Sequence, residues 1–380
     1  MRILMAAAAP KSREGGTAST VSNVAERLRS RGHDVTCLFL EDLLPRPVAF
    51  PRFIETYFAF RIAKLILRKP YQYDVVNIHT HVGFVYGFLR RFLRLRLAPP
   101  FILTLQGSLE RFVYLMSREA KKGRAWYFRW KNRVWHRLYH KLLYRFSIRT
   151  ADHSTVVNRE LWSVLQLQHG RETGRVWYIP NGVEERFFIS RNYAKKHPLR
   201  LLFVGTWLDR KGIYYLRDAF EQLVPNNPGL QLTAAGCFAD VQTVKMFFPE
   251  SLRDRVNVTP FVQTSEMPTI YAQHDVFVFP SLMEGMPLAL LEAMAAGMPV
   301  VTTETCGMMD VVEDDFNGLL VKPADSSAFA AAVERLLESP KLRERLGHAA
   351  QETMRRYTWD CIAGQMERVF ALAVTEKKGG

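Results

Sequence analysis

Short apolar segments alternate with amphipathic helices twice along this chain, and this double alternation limits the possible folds more than any other feature. The first run begins at once, with a buried strand over Arg2–Ala8, a helix over Thr17–Arg31 and a strand over Val35–Leu40. The same order restarts after Pro198, with a strand over Leu199–Val204 and a helix behind it. Short apolar strands between helices are typical of a parallel sheet covered on both faces. The sequence therefore predicts an α/β protein with two such sheets.

The length of 380 residues agrees with two domains, since one domain has roughly 150 residues. We expect an N-terminal domain over residues 1–186, a second domain over 187–358 and a last helix over 359–380 that packs back on the first domain. The division follows from Phe187–His197, which is polar and irregular. Two doubly wound domains would bind their ligand in the cleft between them, at the carboxyl ends of strands.

The stretch PSLMEGMPLALLEAMAAG carries the most chemical information. A buried strand ends at Pro280, a loop carries Glu284 and Gly285, and a helix begins at about Pro287. The first N–H groups of a helix lack intrahelical partners and lie at its positive end, so they suit a diphosphate. Glu284 and Glu292 would repel phosphate, and accepting hydrogen bonds from sugar hydroxyls is a better use for them. The alternative is an ordinary amphipathic helix with Glu292 in solvent.

A second loop, from Gly205 to Gly212, follows the first strand of the second domain and carries Arg210 and Lys211 directly before a helix. Fixed cations that face developing negative charge make a large contribution to catalysis. These two side chains therefore suit a departing diphosphate. The alternative is a solvated pair on the surface.

These motifs together resemble the retaining glycosyltransferases of family 4, which have the GT-B fold of two Rossmann-like, doubly wound domains facing each other across a cleft. The residues that carry the resemblance are Gly15-Gly16, Pro180-Asn181-Gly182-Val183, Gly205 with Arg210-Lys211-Gly212, and Glu284-x7-Glu292. FVFPSLMEGMPLALLEAMAAGMPVV is the most specific stretch. The resemblance implies that the second domain binds a nucleotide-sugar donor and the first an acceptor, with no metal and no further cofactor.

Carried over by position, the resemblance implies a role for each motif residue. Lys211 would contact the diphosphate, Glu284 would hold hydroxyls of the donor sugar, and Glu292 would bind the ribose. Gly16 would lie under the diphosphate from the first domain. The backbone that would cradle sugar and phosphate belongs to Gly285, Met286, Pro287 and Leu288.

Two positions depart from the family pattern. Thr206 stands where the family often has an arginine that pairs with the later lysine, and Gln106 stands where it often has a histidine. Gln106 exchanges no proton at neutral pH, but its amide can hydrogen-bond a sugar or acceptor. Same-face transfer needs no protein base, since the leaving phosphate oxygen can take the acceptor proton. His79 and His81 are the nearest titratable candidates on the acceptor side; the alternative is that both are structural.

Positive charge is concentrated in the first half of the chain. The net charge is +15, and residues 52–149 alone hold 21 Lys and Arg but only four acids. Within them Arg129, Arg133, Arg137, Lys141 and Arg145 recur every four residues beside aromatic side chains. This pattern predicts a basic amphipathic helix in an anionic membrane interface. The alternative is a domain helix with its arginines in water, and without an RNA-binding motif we expect no nucleic acid partner.

Two further patterns bear on location. No window reaches the ~18 uncharged apolar residues of a spanning helix. The four cysteines, Cys37, Cys237, Cys306 and Cys361, lack metal or CxxC spacing and are expected to be reduced core residues of a cytoplasmic protein.

These expectations combine into one function. We expect a cytoplasmic, metal-independent, retaining glycosyltransferase, peripheral on the inner membrane face, that transfers a sugar from a nucleotide-sugar to a lipid-linked or anionic glycan acceptor in polysaccharide or lipopolysaccharide biosynthesis. The alternatives are a nucleotide-sugar epimerase or a phosphorylase with the same fold, or a membrane- or RNA-binding module with a weak site.

Overall fold

The computed structural model describes residues 1–11, 16–44, 53–93, 95, 97–124, 141–194 and 199–379. The chain divides into two compact units. Unit 1 comprises Met1–Val113, Phe128–Gly182 and Trp359–Gly380, and unit 2 comprises Tyr114–Tyr127 and Val183–Thr358. Residues 114–127, which the sequence analysis places in the N-terminal domain, therefore group with unit 2.

Unit 1 is built on a sheet of six parallel strands in the order β2-β1-β3-β4-β5-β6. Its strands are β1 (Arg2–Ala6), β2 (Asp34–Leu38), β3 (Val75–His79), β4 (Phe101–Leu105), β5 (His153–Val156) and β6 (Val176–Tyr178). The helices that begin in unit 1 are α1 (Gly16–Ser30), α2 (Leu40–Leu43), α3 (Ile54–Arg68), α4 (Phe84–Phe92), α5 (Leu109–Lys121), α6 (Lys141–Thr150) and α7 (Arg159–Leu167). Every residue of β3 and β4 is buried, as a sheet covered on both faces requires.

Unit 2 repeats the architecture with the order β12-β11-β10-β7-β8-β9, again all parallel. Its strands are β7 (Arg200–Val204), β8 (Gln231–Ala235), β9 (Val256–Thr259), β10 (Val276–Phe279), β11 (Val300–Thr303) and β12 (Leu319–Val321). Its helices are α8 (Ile213–Leu223), α9 (Val241–Met246), α10 (Met267–Ala272), α11 (Leu288–Ala295), α12 (Met308–Val311), α13 (Ser326–Glu338) and α14 (Pro340–Met354). The two neighbouring central strands are the first and fourth of the unit, the order of a Rossmann fold.

The last helix, α15 (Trp359–Gly379), packs on unit 1, as predicted. Its apolar side is buried beside α1, β3 and β4. Glu367 on this helix bonds His33 Nε2 at 2.7 Å and Arg31 at 3.2 Å, and Glu376 pairs with Arg175. These charged contacts hold the middle and the C-terminal part of the helix against the unit that begins the chain.

The predicted strands Arg2–Ala8, Val35–Leu40 and Leu199–Val204 are observed as β1, β2 and β7, and each end differs by at most two residues. Two elements are not predicted from the sequence: β12, which has only three residues, and α14, which buries only a narrow stripe of residues. Cys361 is exposed, so the prediction that all four free cysteines are core residues is wrong there. No helix in the described part of the chain has both the length and the apolar character needed to cross a bilayer.

Candidate active site

The candidate site of unit 2 lies at the carboxyl ends of β7 and β10. These strands pair side by side, with Leu201 opposite Val276, although 74 residues separate Arg210 from Glu284 in the loops that follow them. This is the point at which the strand order reverses, where open α/β sheets bind their ligands. The topology therefore brings the two loops singled out in the sequence to one place.

Three side chains converge on the carboxylate of Glu284. Oε1 of Glu284 lies 2.8 Å from Lys211 Nζ and 3.0 Å from an Arg210 guanidinium nitrogen. Ser281 donates its hydroxyl to the same oxygen at 2.9 Å. Both predicted cations thus reach the predicted sugar-binding carboxylate, and the reading of Arg210-Lys211 as a solvated pair does not hold.

Burial sets the electrostatics of this group. Lys211 is only 8% exposed, and its ammonium also lies 4.9 Å from the centre of the Phe279 ring. Burial lowers the pKa of Lys211 and Arg210 adds to this effect, while Glu284 opposes it. Burial alone would raise the pKa of Glu284, but the Lys211 ammonium and the Arg210 guanidinium outweigh it and hold the pKa below its ordinary value. The carboxylate is therefore charged, and a new anion would compete with it for both cations.

Gly212 allows the two loops to come this close. Its φ is +75°, and a Cβ built there would stand 1.9 Å from the carbonyl oxygen of Pro280. The carbonyl of Arg210 meanwhile accepts from Leu282 N at 2.8 Å and from the Ser281 hydroxyl at 3.1 Å. Only a residue without a side chain fits between the loops at this point.

Helix α11 begins at Leu288, with Pro287 as its N-cap and no side-chain capping bond. Gly285 and Met286 form the turn before it, so the predicted cradle is one continuous piece of backbone. Gly307 packs beneath this turn, since a Cβ at Gly307 would stand 1.9 Å from the Gly285 carbonyl oxygen. Gly307 is not among the predicted site residues, and its only signal in the sequence is its position shortly after β11.

Glu292 is half-buried and is not the solvated residue of the alternative interpretation. The hydroxyl of Tyr271, itself fully buried in α10, donates to Glu292 Oε2 at 2.8 Å. Burial raises the pKa of Glu292 to about 7, although the bond from Tyr271 and the charge of Arg186 act in the opposite direction. Tyr271 is a second residue that the sequence analysis misses, because no motif joins α10 to α11.

Thr206 is the second residue after β7 and is half-buried in the same loop. The guanidinium at this site comes from Arg210 instead, from the other end of the loop. The departure from the family pattern at Thr206 therefore leaves two cations at Glu284.

Unit 1 holds the other predicted residues. Gly16 opens α1 with a φ of +60° and is exposed, while Gly15 lies outside the described residues. The hydroxyl of Thr20 lies 3.3 Å from the Gly16 carbonyl and 3.4 Å from Asn181 Oδ1. The two glycine motifs of the first domain thus meet at one helix terminus.

The predicted acceptor-side residues follow the neighbouring strands β3 and β4. His79 is 1% exposed and lies 3.1 Å from Asn77 Oδ1, and burial lowers its pKa to about 3. His81 Nε2 lies 3.1 Å from a Glu55 oxygen. Gln106 is half-buried, and its amide nitrogen has no hydrogen-bond partner among the described residues. His79 is thus a neutral side chain at neutral pH.

Two Rossmann-like units, with paired cations and a buried carboxylate at a strand-order reversal, define a protein of the GT-B class. Residues 14–187 match the family described as Glycosyltransferase Family 4, and residues 185–353 match Glycosyl transferases group 1. The two matches together cover most of the chain, which therefore belongs to the family 4 glycosyltransferases.

Known proteins resemble the chain over most of its length or over about half of it. An uncharacterized glycosyltransferase of Methanocaldococcus jannaschii is 26% identical over 398 residues, covering 95% of each protein. The phosphatidyl-myo-inositol mannosyltransferase of Mycobacterium leprae is 33% identical over 211 residues, which cover 52% of this chain and 54% of that protein. The HepE structure from Anabaena in complex with UDP-glucose has a TM-score of 0.71 at 16% identity, covering 98% of this chain and 100% of that one.

Proposed function

We propose that this glycosyltransferase is a retaining, metal-independent enzyme that uses a nucleotide-sugar donor. The observation that carries the proposal is the Glu284 carboxylate, held by Lys211 and Arg210 beside the N-terminus of α11. A diphosphate bound there would take over the two cations and the first N–H groups of the helix. Glu284 would then turn its oxygens to the hydroxyls of the donor sugar, and Glu292 would accept from the ribose. The complex of HepE with UDP-glucose supports a donor of this class.

The reaction follows from these positions. The bond between the sugar carbon and the phosphate oxygen breaks, and both bonding electrons leave with the nucleoside diphosphate. Lys211 and Arg210 stabilise the charge that develops on the leaving oxygen, which is the task a metal ion performs in other enzymes. The acceptor hydroxyl attacks from the same face, and its proton passes to a leaving phosphate oxygen. No protein nucleophile or base is needed, which agrees with the low pKa of His79 and with glutamine at position 106.

The acceptor part of the proposal is a lipid-linked or anionic glycan, reached at the cytoplasmic face of the membrane during polysaccharide or lipopolysaccharide biosynthesis. Exposed aromatic residues support it: Phe88 and Phe92 stack at 4.9 Å, Phe146 meets Phe88 edge-on at 6.2 Å, and Phe92 is 75% exposed. These residues lie on the basic helices α4 and α6. The name of the mycobacterial relative, which acts on an inositol phospholipid, agrees with a lipid acceptor.

The cation stripe itself falls mostly outside the described residues, which include neither Arg129, Arg133 nor Arg137. Lys141 and Arg145 lie on α6, where Lys141 pairs with Glu110 at 2.8 Å. The membrane part of the proposal therefore rests on the aromatic cluster of α4 and α6 and on the overall charge.

Incubation with UDP-, GDP- and ADP-sugars tests the proposal. We expect slow release of free nucleoside diphosphate from one of them, in the presence of EDTA, with retention of the anomeric configuration by NMR. A new nucleotide-sugar epimer, or a sugar 1-phosphate formed from a glycan and phosphate, would point to the epimerase or the phosphorylase. Release of no nucleotide from any donor would favour a binding module.

A further inference from the structure

A cavity of about 350 Å³ opens on the outer side of α3 in unit 1, and none of its lining residues has been assigned a role above. Four cations line it, together with the Gln72 amide and leucine side chains: Arg61, Lys64, Arg68 and Lys69. Among the residues that the structure describes, no acid lines this cavity. Its volume is within the range of small-ligand sites, roughly 300–1,000 Å³.

The orientation of α3 brings these four cations close together. Phe58, Ile62 and Ile66 face the core and are fully buried, which fixes the rotation of the helix. Arg61, Lys64 and Arg68 then follow one another along one edge, since residues three and four apart are neighbours on a helix. Like charges in this arrangement repel one another, and the sequence places no acid on that edge to relieve them.

None of the four cations has an ion-pair partner within the described ranges, whereas other cations of unit 1 are paired. Arg2 bonds Asp74 at 2.8 Å and Arg111 bonds Glu160 at 2.7 Å. The acids of the neighbouring helix α2 are engaged by Lys11. In the sequence, residues 45–52 between α2 and α3 contain two arginines and no acid. A concave surface lined by one sign of charge concentrates counter-ions of the other sign.

We propose that this cavity binds the phosphate-bearing head group of an anionic lipid. Two guanidinium groups and two ammonium groups suit a phosphate, because guanidinium binds its oxygens in pairs. The lipid source follows from Tyr57 and Phe60 on the same helix, which are 48% and 56% exposed and offer apolar contact that a soluble phosphate would not use. The inference deepens the proposed function, and rests on it, by giving the acceptor's membrane a specific site on the enzyme.

The test compares two double variants with equal loss of charge. Lys64→Gln/Arg68→Gln removes two cations of the cavity, and Lys341→Gln/Arg356→Gln removes two exposed cations of unit 2. Binding is measured by sedimentation with phosphatidylcholine vesicles that contain phosphatidylglycerol. We expect the first variant to bind about 30-fold more weakly, since each cation near an anionic surface contributes roughly 1 kcal/mol. The second should bind like the parent.

If both variants bind vesicles more weakly by the same factor, diffuse charge explains the binding. If neither variant binds more weakly, charge does not explain it. Either result would overturn the proposal. A second arm separates the sources of phosphate. Tyr57→Ser/Phe60→Ser should weaken vesicle binding while leaving the titration with inorganic phosphate unchanged. If Lys64→Gln/Arg68→Gln weakens the binding of inorganic phosphate but not the binding of vesicles, the lipid assignment is wrong. Donor hydrolysis by the parent protein without vesicles tests the proposed function separately.

Discussion

At the scale of single residues, the site depends on one buried carboxylate, that of Glu284, which three side chains contact. Glu284 contacts Lys211, Arg210 and Ser281 at 2.8 to 3.0 Å, all through one oxygen. A charge taken out of water is stable only if it is paired, so Glu284 holds the side chains of Lys211 and Arg210 in place. The donor would exchange these contacts rather than create them from solvated side chains.

Removal of Lys211 should therefore affect catalysis most. We expect Lys211→Ala to lower kcat by about 10²–10³-fold, the effect of losing one preorganised group that stabilises developing charge. Lys322→Ala, an exposed lysine of the same unit, is the matched control. A loss below about tenfold in a variant with an unchanged circular dichroism spectrum would contradict the role of Lys211 at the leaving group.

Calorimetry should distinguish the roles of Glu284 and Glu292. Glu292→Gln should weaken binding of the free nucleoside diphosphate, because its proposed partner is the ribose. Glu284→Gln should leave that affinity nearly intact and lower turnover, because its proposed partner is the sugar. Equal effects of both variants on nucleotide affinity would show that the assignment is wrong.

Tyr271 should tune the pH dependence of nucleotide binding. The carboxylate form of Glu292 accepts ribose hydroxyls, and its pKa is about 7, so affinity should fall as the pH drops through 7. Tyr271 donates to this carboxylate and stabilises its charge; Tyr271→Phe should therefore shift the midpoint to higher pH. Tyr193→Phe, which removes a hydroxyl bonded to the Gly297 carbonyl, is the control. An unshifted midpoint in Tyr271→Phe would reduce Tyr271 to a packing residue.

At the scale of elements, two loops and one short helix create the site, and glycines decide how closely they approach. The loop after β7 touches the loop after β10 at Gly212, and the loop after β11 touches the turn before α11 at Gly307. Helix α11 has only eight residues, so its orientation depends on these contacts more than on its own length.

The tight approach at Gly212 predicts a stability difference between two glycines. Gly212 and Gly236 both have left-handed backbone, with φ values of +75° and +59°, but a Cβ at Gly236 meets nothing within 4 Å. Gly236→Ala should cost roughly 1–2 kcal/mol of unfolding free energy, the strain alone. Gly212→Ala should cost clearly more, because the Pro280 carbonyl must also shift. Equal losses in urea denaturation would contradict the close approach.

At the scale of the whole molecule, charge and exposed aromatic residues are concentrated in residues 52–149, most of which belong to unit 1. Residues 52–149 hold 21 Lys and Arg against four acids, so the rest of the chain is close to neutral. Helices α3, α4 and α6 carry exposed aromatic side chains beside these cations. Charge attracts the protein to an anionic surface and is screened by salt, while the apolar contribution is not.

Because salt screens the charge contribution but not the apolar one, we expect part of the vesicle binding to persist at high salt. Phe92 and Leu93 are 75% and 60% exposed, so Phe92→Ser/Leu93→Ser should leave the fold intact. It should abolish the binding to phosphatidylglycerol vesicles that persists at high salt and retain most binding at low salt. Met309→Ser/Phe316→Ser removes two exposed apolar side chains of unit 2 and should change neither. Unchanged binding at high salt in the first variant would exclude α4 from the membrane contact.

The amino-acid sequence determined the features that depend on neighbouring residues. The period of apolar positions is local, so it predicted two parallel sheets and most of their strands. The Glu284-x7-Glu292 stretch predicted a strand, a turn and a helix in that order, because turn chemistry and the helix start lie within a few residues. The return of the last helix and the family also followed from sequence patterns.

Only the tertiary structure decided which distant groups meet. Arg210 reaches Glu284 across 74 residues and Tyr271 reaches Glu292 across 21, since strand order and helix rotation, rather than sequence spacing, set these distances. Gly307 supports Gly285 for the same reason. The cations of α3 line one cavity because burial of Phe58 and Ile62 fixes the rotation of that helix.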